Sequence, residues 1–392
     1  MKILFFLGSP NPSPRASWTR IGFFADNWSR KGHSVEVLGT FSYKSLGRRG
    51  TKKCGKINIF NLIFSMRVDN PLTFILNSLV SFVVSITFLW VRKPNIVIIS
   101  VPNGDAGIGA MIACKLLGTK YIVDYRDEWE DYALSRASSK VGKLFYSVVR
   151  KFTTILYAGS KVVATVTPNL KKTLIKRGLR NVTLLTNGAD TRTFKPLNIK
   201  KNGEDFIIFY SGSIGGYYRL DIVVKALKRL IDKGLSNINL MIAGTGEIQK
   251  LLNLAEKLGL SNHIKYVGVI NEKTKLASLM AMANSGIVPY DDNPLWKNSV
   301  SAKFYEYCAC GLPVIATVHS NSYLQELIEK YKIGITSPPL DEEKLANAIH
   351  WLYRNKSFRE AAGKRARQLT EEKFDRNKIA EEYLNLIKDV LH

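Results

Sequence analysis

Two residues three positions apart, Lys303 and Glu306, carry the chemistry that this sequence displays most clearly. They lie in the stretch NSVSAKFYEYCACGLPVIA, residues 298–316, just ahead of a Gly-Leu-Pro break. Ser299 and Ser301 offer N-cap chemistry, residues 302–310 form a helix, Gly311 ends it, and Pro313 leads into the apolar strand Val314-Ile315-Ala316. A helix that starts at a cleft presents free amides, here near Ser299 and Val300, and the positive end of its dipole. Such a start suits a diphosphate. Lys303 adds a full charge, and the Glu306 carboxylate can accept hydrogen bonds from both hydroxyls of a ribose. A Lys-x-x-Glu pair on its own also reads as a surface ion pair at i,i+3 spacing. The surrounding elements decide between the two.

A chain of 392 residues is long for one core, so two domains of roughly 190 residues are expected. The formal charge of +25 calls for polyanionic surroundings: anionic lipid headgroups, nucleic acid or phosphorylated substrates. No helix-turn-helix, zinc-ligand spacing or interleaving of basic and aromatic residues supports nucleic acid, which leaves an anionic membrane surface as the expected partner. Cys54, Cys114, Cys308 and Cys310 are too few and too scattered for a disulfide framework or a Cys-x-x-Cys metal site, which fits a reducing compartment. Cys308 and Cys310 read as small apolar packing residues. The opening MKILFFLGSPN has an apolar run too short for a signal sequence and suited to a first buried strand, so a cytoplasmic location is expected. No Asp-x-Asp occurs, Asp291-Asp292 reads as a polar turn, and neither metal nor cofactor is implied.

Apolar strands alternate with helical stretches through both halves, the pattern of parallel sheets covered on both faces. In the first half the strands are expected at Ile3–Leu7, Ser34–Leu38, Ile96–Ser100, Tyr121–Asp124 and Val162–Thr165. After Asn187-Gly188 and Pro196 they resume at Phe206–Tyr210, Asn239–Ala243, Ile264–Val267, Gly286–Pro289 and Val314–Ala316. The polar stretch 200–204 is the expected linker, with the cleft across it, facing the carboxyl ends of both sheets. Residues 72–91 form a nearly uncharged run long enough to span a bilayer. Thr73, Asn77, Ser81 and Ser85 nevertheless recur every four residues, and Lys93-Pro94-Asn95 feeds directly into a strand, so a buried or partly membrane-facing helix is expected. Arg48, Arg49, Lys52, Lys53 and Lys56 form a basic loop that either binds anionic headgroups or is simply solvated.

An ordered series of motifs runs along nearly the whole chain: KILFFL with RKGHSVEVLG, KPNIVIISVPN, YIVDYRDEW, VTPNLKKTLIKRG, TNGADTRTFKP, YSGSIGGYYRLD, MIAGTGE and SAKFYEYCACGLPVIA. The series resembles the family 4 glycosyltransferases of the GT-B fold, in particular the branch that assembles surface polysaccharides. The resemblance implies an α/β architecture, GT-B, with two Rossmann-like doubly wound domains facing a central cleft. Its parts would be an acceptor domain at 1–198, a nucleotide-sugar domain at 199–375, and a helix at 376–392 crossing back to the first. It implies metal-independent transfer, with retention, of a sugar from a nucleotide-sugar donor, UDP- or GDP-linked, to a lipid-linked or polysaccharide acceptor at the inner face of the membrane. A nucleotide-sugar 2-epimerase of the same fold and a non-catalytic GT-B subunit are the alternatives.

The same resemblance assigns residues. Where the family commonly places Arg and Lys on the diphosphate, this chain has Ser213 and Tyr218, with Arg219 either taking over the cationic role or capping a helix. The second carboxylate of the family's Glu-x7-Glu is Glu306, whereas the first position is Asn298, which can still hydrogen-bond a sugar. Lys303 would neutralise the leaving diphosphate together with the amides near Ser299 and Val300. Gly244 and Gly246 would permit close backbone approach near the ribose, and Gly268 and Val269 would meet the base through main chain. In place of a His found in many members stand Arg126 and Asp127. Asp127 would orient or deprotonate the acceptor hydroxyl and Arg126 support developing charge, unless the two merely brace a strand end. Ser17, Trp18 and Arg20 are the candidate acceptor contacts, Trp18 by stacking on a sugar face or by covering the core.

Overall fold

The computed structural model describes residues 1–12, 16–102, 104–199 and 205–391, and of Ala16 and Ser17 only their helical backbone. The expected linker at 200–204 lies outside the described residues. The chain divides into two compact units, one of Met1–Thr186 with Ile379–His392 and one of Asn187–Lys378. The first division thus precedes position 198, because Ala189 and Phe194 are buried in the core of the second unit and Arg367 donates to the carbonyls of Thr191 and Phe194.

Among the described residues the first unit holds eight strands: β1 Lys2–Leu7, β2 Ser34–Phe41, β3 Gly50–Cys54, β4 Ile57–Phe64, β5 Ile96–Val101, β6 Tyr121–Tyr125, β7 Val162–Thr165 and β8 Val182–Leu184. Their order is β3-β4-β2-β1-β5-β6-β7-β8, and every neighbouring pair is parallel except β3–β4. Helices cover both faces, which is why β1 and β5 are apolar without alternation. On one face Trp28 stacks on Phe5 and Phe24, meets Tyr383 edge-on, and donates its indole N–H to the carbonyl of Ala380. The helix Arg376–Leu391 therefore completes the first unit's core from Ile379 onward. On the other face lie the helices Pro71–Arg92, Gly104–Leu116 and Lys140–Ala158.

One expectation changes here. The basic loop is an antiparallel hairpin: Lys52 and Lys53 sit exposed on the edge strand β3, paired with Ile59 and Asn58 of β4. Lysines on an edge strand deter pairing with another chain, so the segment has no need of an apolar pattern. The polar stripe of the helix Pro71–Arg92 points inward. Asn77, Ser81 and Ser85 are buried, and Ser81 Oγ donates to the carbonyl of Ala106 at 2.6 Å.

Among the described residues the second unit holds six parallel strands: β9 Phe206–Ile214, β10 Ile238–Gly246, β11 Ile264–Tyr266, β12 Ser285–Pro289, β13 Val314–Thr317 and β14 Gly334–Ser337, in the order β11-β10-β9-β12-β13-β14. Together these are two Rossmann-like parallel-sheet α/β domains.

Candidate functional site

The candidate donor residues of the second unit lie at or after the carboxyl ends of β9, β10, β11 and β12. β9 and β10 stay paired out to Ile214 and Gly246, unusually far for so glycine-rich a stretch. A Cβ on Gly244 would stand 1.8 Å from the carbonyl oxygen of Gly212, and one on Gly246 would stand 2.1 Å from that of Ile214. The approach of strand to strand is by itself enough to require glycine at both positions.

The helix Ala302–Ala309 begins beside these strand ends and is held by Tyr307. The Tyr307 ring fills the space where a side chain on Gly286 would go, with Cδ2 only 2.3 Å from an ideal Cβ, and its hydroxyl accepts from the Ser211 amide at 2.9 Å. Gly286→Ala is expected to lower stability by about 1–3 kcal/mol through overpacking, read from the urea midpoint. A midpoint equal to the parent's would show that the ring is free to move.

Ser301 occupies the N-cap position, yet its hydroxyl does not cap: it is buried without a hydrogen-bond partner, while the Ser301 amide donates to Tyr290 Oη at 2.8 Å. The start of the helix is consequently left without a side-chain acceptor. Gly311 ends it at φ +71°, as its sequence position implies.

Lys303 and Glu306 are not a surface ion pair, since they are only 7% and 8% exposed. Lys303 Nζ donates to Tyr210 Oη at 3.1 Å and lies 3.2 Å from the centroid of the Tyr218 ring and 4.2 Å from that of Tyr210. It reaches the turn at Gly212, where a Cβ would come within 3.2 Å of it. Among the described residues no carboxylate forms an ion pair with it, and burial holds its pKa well below the ordinary lysine value. Burial pushes the Glu306 carboxyl up, and Arg376, Lys273 and Lys303 act in the opposite direction. The helix therefore delivers a cation without an ion-paired carboxylate among the described residues, with Glu306 favouring its charge from a distance, and a carboxylate set among cations.

Tyr218 and Tyr210 belong to a row of aromatic side chains that sequence reasoning does not find. Tyr218 stacks on Tyr290, Tyr290 on Trp296, and Trp296 meets the exposed Tyr217 at 5.1 Å. The only hint is the density of Tyr in GYYRLD and IVPYDD, from loops far apart in the chain. Trp296 Nε1 also donates to Asp291, confirming Asp291 as part of a polar turn. Arg219 keeps its charge beside a carboxylate and is partly exposed. It forms a two-point pair with Asp221, at 2.8 and 2.7 Å, and sits at the N-cap of the helix Leu220–Ile231. A cavity of about 430 Å³ opens beside it, lined by Tyr218, Arg219, Asp221, Glu247 and Lys250.

Ser213 is exposed, its carbonyl accepting from Tyr210 Oη. Asn298 and Ser299 are half-buried and Val300 is buried. The carbonyl of Gly268 accepts from the Gly244 amide, and Val269 is exposed. Cys308 and Cys310 are buried packing residues, the Cys310 thiol pushed up to about 12 by burial. Among the described residues no three of His, Cys, Asp and Glu gather as metal ligands.

In the first unit, Arg126 and Asp127 follow β6, and Arg126 pairs with Asp124 at 3.6 Å. Asp127 is half-buried and adds to the field that favours the Arg126 charge. Arg20 is not an exposed acceptor contact. It is 2% exposed and donates to Asp124 and to the carbonyls of Leu185 and Thr186. Trp18 is half-buried and packs against the core over Gly22. The side chain of Ser17 lies outside the described residues.

Comparison with known proteins agrees with this geometry. The chain resembles the solved structure of sucrose-phosphate synthase from Thermosynechococcus elongatus, with TM-score 0.76 and 15% identity over 100% of this chain and 99% of that one. It also resembles HepE from Anabaena, solved with UDP and glucose, with TM-score 0.73 and 15% identity over 99% and 100%. Both likenesses establish the GT-B fold. A stretch of 174 residues is 25% identical to the N-acetyl-alpha-D-glucosaminyl L-malate synthase of Bacillus anthracis, spanning 44% of this chain and only 42% of that relative. Residues 191–369 match the family model for glycosyl transferases group 1. That match covers the greater part of the second unit.

Proposed function

We propose that the protein is a glycosyltransferase that moves a sugar from a nucleoside-diphosphate donor, uridine- or guanosine-linked, to a lipid-linked or polysaccharide acceptor at the cytoplasmic face of a membrane. The observation that carries this reading is Lys303, a buried cation with no ion-paired carboxylate among the described residues, in the first turn of a helix and against Tyr210 of β9. Such a cation is kept for a ligand's anion, and the leaving nucleoside diphosphate is the anion that this chemistry produces. The helix amides share its charge, Glu306 accepts from the ribose hydroxyls, and Asn298 contacts the transferred sugar. Asp127 handles the acceptor proton and Arg126 supports developing charge. The acceptor attacks the face of the sugar that the diphosphate leaves, so configuration is retained, and no metal takes part.

A thermal-shift panel of nucleoside diphosphates tests the reading, because a ligand bound only by the native state raises its melting temperature. One diphosphate is expected to stand out, and its sugar-linked form to release diphosphate slowly without acceptor. Absence of any shift would leave a non-catalytic subunit, and a 2-epimerase would instead release an isomerised sugar. Glu306→Gln is expected to weaken the selected nucleotide by about 1.5–3 kcal/mol, the range for hydrogen bonds to a charged group. Calorimetric titration equal to the parent's would remove Glu306 from ribose recognition.

A further inference from the structure

The helix Pro71–Arg92 is amphipathic in the reverse of the usual sense. Asn77, Ser78, Ser81 and Ser85 face the protein. Asn77 Nδ2 donates to the Asp105 carboxylate at 2.6 Å, Ser78 Oγ to the Asp105 carbonyl at 2.9 Å, and Ser81 Oγ to that of Ala106. Gly109 of the neighbouring helix brings the backbones close, since a Cβ there would meet the Ser78 carbonyl oxygen at 2.3 Å. The opposite side carries Leu72, Ile75, Leu79, Val83 and Trp90, all exposed and all within one stripe of a 3.6-residue period.

A second helix repeats the pattern. On Lys140–Ala158 the exposed large apolar residues are Val141, Leu144, Val148, Phe152 and Ile155, again a single stripe. Phe74 touches both Phe145 and Tyr146, and the two helices cover the same face of the sheet. Their apolar stripes are thus the outer surface of one helical layer. Lys93, Lys140, Lys143 and Lys151 are exposed around it, and neither helix contains an Asp or Glu.

We infer that this two-helix face docks on an anionic lipid bilayer, the apolar stripes entering the headgroup boundary and the lysines meeting the lipid charge. A lone exposed leucine needs no explanation, but ten large apolar side chains aligned on adjacent helices do. The surface has the composition of helices that lie in the interface plane: a broad apolar side, basic flanks, and a Trp near one end. A second copy of the chain fits less well, because a two-fold contact sets each patch against itself and opposes lysines with lysines. Crossing the bilayer is excluded for Pro71–Arg92 by its buried polar bonds to the next helix and by its direct continuation into β5. The inference gives the lipid-linked acceptor a physical basis, yet it rests on residues that the donor site does not use.

The test is co-sedimentation of the full chain, without nucleotide, with vesicles of phosphatidylcholine alone or with about one-third phosphatidylglycerol. Binding to the anionic vesicles is expected. Leu79→Ser with Val83→Ser, and separately Leu144→Ser with Val148→Ser, are expected to weaken it about tenfold or more with the melting temperature unchanged, since these side chains are already exposed. Partition of both double variants equal to the parent's would overturn the inference. So would sedimentation velocity showing a parent dimer that the same substitutions dissociate, which would assign the face to a second copy. Failure of the nucleotide panel leaves vesicle binding untouched, and the reverse also holds.

Discussion

Lys303→Met is expected to slow sugar transfer about a hundred- to a thousandfold while the melting temperature stays level or rises. Both halves follow from the same geometry. The ammonium is buried against Tyr210 and Tyr218, and the nearby Glu306 carboxylate offsets its lost hydration only in part, so an apolar side chain of similar length relieves a cost in the free protein. During transfer, however, it is the nearest full charge for the departing diphosphate. Transfer within tenfold of the parent's, measured on folded protein, would remove Lys303 from the chemistry. The pH dependence has a definite sign. Because burial lowers the Lys303 pKa, the unfolded chain binds more protons between the lowered and the ordinary lysine value. The associated stability is complete above the ordinary value and is lost as pH falls through the lowered one. A bound diphosphate raises the pKa again, so binding takes up a proton and affinity falls as pH rises through the free protein's value. Calorimetry in buffers of different ionisation enthalpy reads that proton directly.

Asp124→Asn and Asp127→Asn are expected to fail in opposite ways, although the residues are three apart on one strand end. Asp124 is fully buried and faces two guanidinium groups, Arg20 at 3.2 Å and Arg126 at 3.6 Å. Its neutralisation leaves both without a formal counter-charge there, and breaking a buried pair in this way costs about 3–5 kcal/mol. Denaturant titration should show that loss, with activity per folded molecule close to the parent's. Asp127→Asn should keep its unfolding midpoint and lose about a hundredfold in transfer at near-normal donor affinity, the scale of a positioned acid or base. If Asp127→Asn instead loses stability and keeps its rate, the residue braces the strand and Arg126 has no functional partner.

Most strands that sequence reasoning finds are buried on both faces, their apolar runs having no other use; the edge strand β11 is the exception. It misses β3 because an exposed edge strand reading GTKKC obeys no apolar pattern, and it misses β4 although Ile57, Ile59 and Ile63 alternate inward there. It misses β8 and β14 because VTL and GITS are mostly half-buried and carry no continuous apolar run, unlike the equally short β7 and β13. The spacing of Lys303 and Glu306 reveals a shared turn, but the tyrosines that surround Lys303 come from Tyr210, 93 positions away, and the loop that follows it. Arg20 fails as an acceptor contact for a similar reason, its carboxylate partner lying 104 positions on. Arg219 differs, for its partner Asp221 is two residues away and was open to a local reading.

The return of residues 379–391 to the first unit sets an order on synthesis. Residues 187–378 are continuous, so that unit has all its parts once it leaves the ribosome. The amino-terminal unit emerges first yet must wait for the whole of the second, roughly 10–40 s at about 5–20 residues per second, before Tyr383 and Ala380 reach Trp28. During that interval Phe24 and Trp28 lack their cover. The chain segment made first is therefore the last to be finished, and it is the one with the greater need of a chaperone.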